Sequence, residues 1–260
     1  MVELSVDRAI SDNFDEVLIR SLAERSFARE RLFRTANNLI TVDAPDGSGK
    51  GAIASSIWQQ LSSIYGDSNV LLVSPNGFDQ SPQSLEIGKK LKNQPSLSPS
   101  SVRHNSHFMA TTMVNYRTVI FPALEAGKIV VVDSSEIRSL AYILDRGSSA
   151  AIRSTLRWIR GGRATFGLLA GNRILVTVSP DDCLANINAR GKRDYGDPVD
   201  YNEALKRADC YALSILYLKG LKQDSPSNWI NVENHRIETD DVDAYLNQLV
   251  SRKIIPYLYL

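Results

Sequence analysis

The sequence predicts an α/β fold in which a five-stranded parallel sheet carries helices on both faces. Short aliphatic runs alternate with longer amphipathic segments along the chain, an order that requires crossover connections between parallel strands. Several of the runs are almost continuously aliphatic, as expected of strands that are covered on both faces. The chain has 260 residues, of which 43% are hydrophobic, so it can bury one large core.

The predicted elements follow one another in a regular order. Residues 1–36 are predicted to form a helical extension, because Phe14, Val17 and Leu22 recur on one face, and the domain then spans 37–260. The predicted strands cover 38–43, 69–74, 128–133, 173–179 and 228–233. The predicted helices cover 50–65, 103–126, 136–159, 180–189 and 199–218. The polar segment 93–106 is predicted to be a loop.

Composition argues against several classes of function. Thirty basic and twenty-nine acidic residues give a net charge of +1, which provides no electrostatic basis for binding nucleic acid or an anionic membrane. No run approaches the ~18 apolar residues of a membrane span, and the N-terminus does not resemble a secretory signal. The two cysteines and three histidines show neither a disulfide pattern nor metal-ligand spacing. We therefore expect a cytoplasmic protein that binds no nucleic acid and no membrane.

The most informative stretch is the glycine-rich turn DAPDGSGKG at residues 43–51. It follows an apolar run and precedes a helical segment. Its backbone N–H groups would therefore converge on a polyphosphate, while the Lys50 ammonium reaches the terminal phosphates. In such loops a serine or threonine usually follows the lysine and ligates Mg²⁺. Gly51 and Ala52 stand there instead, so the sequence predicts a nucleotide site with one metal ligand missing.

Four segments in register resemble thymidylate kinases and related nucleoside and nucleotide kinases. They read LITVDAPDGSGKGAIASSIWQQL, VLLVSPNGFDQSPQSLEIGKKL, VIFPALEAGKIVVVDSSEIRSLAY and ILVTVSPDDCLANINARGKRDYGDP. In order, they resemble the family's first strand, P-loop and first helix; its acceptor loop and following helix; its third strand with an aspartate; and its fourth strand, helix and basic lid. The resemblance covers about residues 38–250. It implies a three-layer P-loop fold with a lid at about 188–200, to which the N-terminal helix is an addition.

The resemblance also implies the phosphoryl donor, ATP with Mg²⁺, and the residues that hold it. The expected nucleotide-binding residues are Asp46, Gly47, Ser48, Gly49, Lys50, Gly51, Ala52 and Arg190. Lys50 would neutralise charge on the β and γ phosphates, with Asp46 near the reacting groups. Asp133, at the end of the third strand, would hold Mg²⁺ directly or through water, or would instead cap the next helix. Arg190 and Arg193 of the lid would close over the transferred phosphoryl group.

The acceptor side departs from the family. Thymidylate kinases bind the acceptor phosphate with arginines at three places, which here carry Ser74, Thr112 and Ser134. A hydroxyl replaces neither the charge nor the fork of a guanidinium. The arginines that could form a rearranged clamp are Arg103, Arg117, Arg138, Arg153 and Arg157. The expected acceptor-binding residues are Asp43, Asn76, Phe78, Arg117, Arg138 and Tyr142.

The sequence leaves three functions open. The first is a transferase of nucleotide metabolism, a nucleoside-monophosphate kinase with an altered site for its small-molecule acceptor. The second is a kinase that acts on a nucleoside or another hydroxyl compound, which would benefit from a carboxylate base. The candidate bases are Asp43, Asp46, Asp79 and Asp133. The third is a nucleotide-binding protein without transfer activity. The apolar tail 254–260 makes a homodimer a further expectation.

Overall fold

Five parallel strands, separated along the chain by helices, form the predicted sheet. The structure is a computed structural model that describes residues 33–75, 77, 79–93, 101–162, 165–191, 197–221, 223, 225–235 and 241–260. Its strands are β1 (Arg34–Asp43), β2 (Val70–Val73), β3 (Ile129–Asp133), β4 (Leu168–Thr177) and β5 (Asn228–Glu233). They lie in the order β2-β3-β1-β4-β5. After β1 the chain forms β2 and β3 on one side of β1, and it then crosses to form β4 and β5 on the other side of β1. Ligands bind where the direction of strand addition reverses in this way in parallel sheets.

Helices connect and follow the strands. Within the described residues they are α1 (Lys50–Tyr65), α2 (Pro82–Lys92), α3 (Val102–Asn115), α4 (Phe121–Glu125), α5 (Glu136–Arg146), α6 (Ser149–Arg160), α7 (Pro180–Ala189), α8 (Tyr201–Lys219) and α9 (Val242–Lys253). A π-helical turn, Tyr116–Ile120, joins α3 to α4. Across the part of the chain that the structure describes, no helix has both the length and the apolar character needed to cross a membrane.

Alternate side chains of the central strands are buried on opposite faces of the sheet. Ile40 packs with α1 and α9, whereas its neighbour Leu39 packs against the π-helical turn. In β4, Ile174 faces the α1 side and Leu175 packs with α5, α6 and α8 on the other. Helices on both faces of a parallel sheet give three layers, which confirms the predicted fold class.

Several predicted boundaries agree with the structure, and two strands are longer than predicted. The helices at 50–65 and 180–189 and the strand at 228–233 coincide with α1, α7 and β5. β1 begins at Arg34, inside the segment assigned to the N-terminal helix, because Arg34 and Thr35 pair with the start of β4. Sheet pairing therefore decides the conformation there. The remainder of the predicted extension, residues 1–32, lies outside the described residues.

The helix predicted over 136–159 is two helices. Gly147 ends the first because its backbone is extended, with ψ 152°, and a Cβ there would lie 2.4 Å from the carbonyl oxygen of Ile143. Ser148 begins the second, since its hydroxyl accepts a hydrogen bond from the N–H of Ala151. The break separates α5, which carries site residues, from α6, so the two helices are free to follow different directions.

The segments between β2 and β3, and the C-terminal helix, were predicted less well. The loop predicted over 93–106 was wrong from Val102 onward, because Ser101 caps α3 by accepting a hydrogen bond from the N–H of His104. The helix predicted over 103–126 is interrupted by the π-helical turn. The family resemblance implied α2, but α9 was not predicted, although its N-cap Asp241 is a recognisable start signal.

Candidate active site

The turn between β1 and α1 has the backbone of a phosphate-binding loop. Gly47 and Gly49 have φ values of 80° and 77°, in the left-handed region that favours glycine. A Cβ on Gly47 would also lie 2.6 Å from the carbonyl oxygen of Cys183. Gly49 is the N-cap of α1 and no side chain caps that end. The first N–H groups of α1 are therefore left for an anion.

Neighbouring elements hold this loop from both sides. The Asn186 side chain on α7 donates to the Gly47 carbonyl at 2.9 Å, and the Asn234 side chain after β5 donates to the Ser48 carbonyl at 2.8 Å. The Cys183 thiol lies 2.8 Å from the Asp46 carbonyl oxygen. These contacts fix the loop before any ligand binds, which is the preorganisation that phosphate binding needs.

A cleft of about 430 Å³ opens beside the loop, and we call it the loop cavity. Its lining residues are Asp46, Gly47, Gly49, Lys50, Gly51, Ala52, Asn186, Arg190, Asn234, His235, Val242, Tyr245 and Leu246. Six of the seven loop residues predicted to bind the nucleotide, and Arg190, thus share one cavity. Ser48 is fully buried behind it. Arg190 pairs with Asp197 at 2.7 Å across the predicted lid, whereas Arg193 lies outside the described residues.

A second cleft of about 280 Å³ lies against α5, and we call it the α5 cavity. Its lining residues are Ser74, Gly77, His104, Asn105, Phe108, Arg138, Ser139, Tyr142, Ile143 and Arg146. Arg138, Tyr142 and Arg146 recur every four residues and so share one face of α5. Across from them, the His104 and Phe108 rings lie with their centroids 5.2 Å apart. The cavity combines cations with an aromatic wall.

The Asp46 carboxylate joins the two cavities. Its Oδ1 lies 3.2 Å from the Lys50 ammonium and 3.7 Å from the Arg138 guanidinium. Its Oδ2 accepts hydrogen bonds from the Tyr142 hydroxyl and, at 3.4 Å, from Arg207. The loop lysine and Arg138 of the α5 cavity therefore meet at one acidic side chain.

The charges around Asp46 fix its protonation state. Burial alone would raise the pKa of Asp46, but the charges of Lys50 and Arg138, with hydrogen bonds from Tyr142 and Lys50, hold it below its ordinary value. Burial and the Asp46 charge raise the pKa of Tyr142 to about 12. At neutral pH, Asp46 is thus a carboxylate and Tyr142 a hydrogen-bond donor.

Asp133 ends β3 beside the loop, where a nucleotide-bound metal would lie. Its Oδ2 lies 3.3 Å from the position that a Cβ on Gly51 would take, and its Oδ1 accepts from the Ser134 hydroxyl at 3.2 Å. The helix that follows is capped by Ser135, so Asp133 is not its cap. Among the described residues, no group of three or more His, Cys, Asp or Glu could hold a metal ion. One carboxylate fits an Mg²⁺ that also rests on phosphates and water.

Comparisons with known proteins found similar sequences and a similar fold. No protein-family model matches the sequence. A protein named probable thymidylate kinase from Archaeoglobus fulgidus is 29% identical over 170 residues, which cover 65% of this chain and 79% of that protein. A second of the same name, from Methanoculleus marisnigri, is 24% identical over 160 residues, covering 60% of this chain and 71% of that one. The crystal structure of a thymidylate kinase from Ehrlichia chaffeensis superposes with a TM-score of 0.53 and 18% identity, covering 82% of this chain and 96% of that chain. The chain is thus similar in sequence and in fold to thymidylate kinases.

Two of the predicted acceptor residues lie outside both cavities. Asp43 is buried and accepts hydrogen bonds from the Ser135 N–H and hydroxyl at 2.8 and 2.7 Å. Burial raises the pKa of Asp43 to about 6. Arg117 is exposed on the π-helical turn and lines neither cavity. Asp43 thus supports the Ser135 turn and Arg117 faces solvent, so the structure does not bring these two residues to the α5 cavity.

The three positions at which the family resemblance places arginines carry hydroxyl side chains here. Ser74 lines the α5 cavity, Thr112 is buried with its hydroxyl donating to the Phe108 carbonyl, and Ser134 is buried with φ 78°. Of the five arginines considered as replacements, Arg138 is the one that lines the α5 cavity within the described residues. Asn76 and Phe78 lie outside those residues.

Three functional candidates escaped the sequence analysis. Arg146 lines the α5 cavity, and Arg207 of α8 is only 1% exposed and reaches Asp46. The side-chain amide of Asn115 donates to the carbonyls of Pro75 and Gly77, both at 2.9 Å. None of the three belongs to a motif, and only their places in the fold bring them to the site. The spacing of Arg146, four residues after Tyr142, was the one available signal.

Proposed function

We propose that this protein is an ATP-dependent kinase that transfers the γ-phosphoryl group to a nucleoside monophosphate, with acceptor contacts rearranged relative to thymidylate kinases. One observation carries the proposal: Asp46 contacts Lys50 in the loop cavity and both Arg138 and Tyr142 in the α5 cavity. A donor in the first cavity and an acceptor in the second would meet at this carboxylate. Relatives named probable thymidylate kinase support the same reaction class.

The donor half would work by electrostatic stabilisation. The loop N–H groups would hold the β phosphate, and Lys50 would neutralise charge on the departing γ group. Mg²⁺ brought by the nucleotide would rest on Asp133 and screen the β and γ oxygens. Arg190, which faces the loop cavity, would come from the lid side. In this arrangement the protein supplies positioning and charge, which is what phosphoryl transfer requires.

The acceptor half would rely on α5. The Arg138 guanidinium lies at the junction of the two cavities, 3.7 Å from Asp46, with 34% of its side chain exposed. It is therefore close to Lys50 and still accessible to an anion. Arg146 lies two helical turns along the same face. The two arginines would replace the missing family arginines, while the wall formed by His104 and Phe108 would contact the base.

The charge of Asp46 favours a phosphate acceptor over a hydroxyl acceptor. A hydroxyl nucleophile benefits from a base whose pKa lies near the working pH. The cations around Asp46 hold its pKa low, and Asp43 is sealed behind Ser135. Asp133 faces Gly51 on the metal side, and Asp79 is exposed. A phosphate oxygen is already ionised and needs no base, so the monophosphate is the better fit.

Incubation with ATP and Mg²⁺ tests the proposal directly. The acceptor panel would contain nucleoside monophosphates, nucleosides and non-nucleotide alcohols, and product would be quantified chromatographically. We expect transfer to a monophosphate, lost in Lys50→Ala. The matched control is Lys90→Ala, which removes an exposed lysine paired with Glu86 on α2. Transfer only to hydroxyl acceptors would establish the second function instead. ATP binding with no transfer would leave a nucleotide-binding protein without kinase activity.

A further inference from the structure

We propose that Arg207 is a positioning residue of the acceptor site. It would fix the Asp46 carboxylate and the Tyr142 ring where they meet the α5 cavity. Arg207 lies on α8 and lines neither cavity, so it acts through these two side chains and not on a ligand. The inference rests on the proposed kinase function, because its effect is on binding of the phosphoryl acceptor.

The Arg207 guanidinium bridges two carboxylates. Its Nε and one terminal nitrogen donate to Asp145 Oδ2 at 3.0 and 2.7 Å, and its other terminal nitrogen donates to Asp46 Oδ2 at 3.4 Å. The side chain is 1% exposed. Only the planar fork of arginine can make these contacts together, because a lysine ammonium is a single point at the end of a flexible stem. The bridge therefore depends on the guanidinium and not only on its charge.

The same guanidinium holds Tyr142 from a second direction. Its Cζ lies 4.4 Å from the centre of the Tyr142 ring, a cation–π distance. The Tyr142 hydroxyl donates to Asp46 Oδ2, the oxygen that Arg207 also contacts. Arg207, Tyr142 and Asp46 thus form a closed triangle of contacts. Removing one corner takes away two of these three contacts.

Because of this triangle, the two oxygens of the Asp46 carboxylate have different partners. Oδ2 is occupied by Arg207 and Tyr142, which leaves Oδ1 toward Lys50 and Arg138. If Arg207 were lost, the carboxylate could rotate and Arg138 would lose its fixed counter-ion. The acceptor phosphate would then meet a mobile clamp. Loop residues that bind the donor phosphates through backbone N–H groups would be affected less.

A purely structural role for Arg207 is the competing explanation, and the chain contains a matched control. Arg173 is also 1% exposed, pairs with the buried Glu136 at 2.7 Å, and has its Cζ 5.3 Å from the Trp229 ring centre. Neither Arg173 nor Glu136 lines the loop cavity or the α5 cavity. Replacing Arg173 therefore measures how much stability and activity are lost when a buried ion pair that lines neither cavity is disturbed.

The test compares Arg207→Lys with Arg173→Lys in the full chain, by steady-state kinetics with ATP and the preferred monophosphate. For Arg207→Lys we expect KM for the monophosphate to rise about ten-fold, while KM for ATP stays within about two-fold. For Arg173→Lys we expect a lower Tm and no change in the ratio of the two KM values. If Arg207→Lys does not fold, Asp145→Asn neutralises the second carboxylate that Arg207 contacts, which is also the partner of Arg146 and Lys206. It should raise KM for the monophosphate in the same direction.

Two results would overturn the proposal. Equal shifts of both KM values in the Arg207 and Asp145 variants would mean a general structural role. Unchanged KM values in both variants would mean that the triangle does not act on the acceptor. A wild-type protein that phosphorylates nothing in the acceptor panel is a separate result, seen without any variant, and it overturns the proposed kinase function on which the inference rests.

Discussion

Gly51 lies directly beside Asp133, and a Cβ built on it would be 3.3 Å from the Asp133 carboxylate oxygen. Gly51 is also the position at which P-loops usually carry a magnesium-binding hydroxyl. The backbone therefore still directs position 51 toward the carboxylate that would hold Mg²⁺, and only the side chain is missing.

Gly51→Ser is expected to return a metal ligand to the loop. The contact is tight, so Asp133 must shift by a few tenths of an ångström, but the hydroxyl would lie beside its carboxylate. We expect the Mg²⁺ concentration for half-maximal activity to fall by about three- to ten-fold. Initial rates measured against Mg²⁺ at saturating ATP check this. Gly51→Ala adds the same Cβ without oxygen, and a matching fall in that variant would contradict the ligand explanation.

Asp43 makes folding stability depend on pH. Its pKa is raised from 3.8 to about 6 in the folded protein, so between these values the folded state binds the proton that the unfolded state has released. Stability due to this group is therefore largest at low pH and declines as pH rises through 6. The free energy of unfolding of Asp43→Asn, relative to that of the wild type, should therefore increase by on the order of 2–3 kcal/mol as the pH is raised from 4 to 7. Urea unfolding at several pH values measures the difference, and a pH-independent difference would refute the assignment.

The sequence determined the donor side better than the acceptor side, for a physical reason. A phosphate loop is built from consecutive residues whose backbone does the binding, so Gly47, Gly49 and Lys50 are visible as one motif. The acceptor side is assembled from α3, α5 and α8, and Arg207 reaches Asp46 across 161 positions of sequence. No local pattern encodes such a contact.

Asp43 shows the same limit of prediction from sequence, in this case for the direction of a side chain. Its place at the end of β1 suggested a substrate contact, because ligands bind at the carboxyl ends of parallel strands. Whether such a side chain faces the cleft depends on its neighbours, and here Ser135 provides two hydrogen bonds that turn the carboxylate inward. Strand position was predictable from the apolar run, but the side-chain direction was not.

Breaking the buried pair formed by Arg173 and Glu136 should destabilise the fold strongly, whereas replacing both residues together should destabilise it little. Removing one partner leaves an uncompensated buried charge, so Arg173→Met alone should destabilise the fold by about 3–5 kcal/mol. Arg173→Met combined with Glu136→Leu should recover most of that loss. Urea unfolding of the two single variants and the double variant measures the coupling. If the double variant lost as much unfolding free energy as the sum of the losses in the two single variants, the two residues would not be coupled.

Asn115 should set the position of the loop before α2 and, through it, acceptor binding. Its amide donates to the Pro75 and Gly77 carbonyls, and Ser81 donates to its side-chain oxygen at 3.2 Å. Gly77 lines the α5 cavity. Asn115→Ala leaves two carbonyls without these donors, so we expect a loss of about 1–3 kcal/mol in stability and a rise of about ten-fold in KM for the acceptor.

Asn172 provides the matched control for this substitution. It is equally buried, and its side chain contacts the backbone at Asn37 and Tyr259 and the side chain of Asn228, all away from the two cavities. Asn172→Ala should therefore cost similar stability without changing KM for the acceptor. Paired measurements of unfolding free energy and steady-state kinetics separate the two effects. If both variants raised KM for the acceptor equally, general loosening of the fold would explain the change, and Asn115 would have no specific role at the acceptor loop.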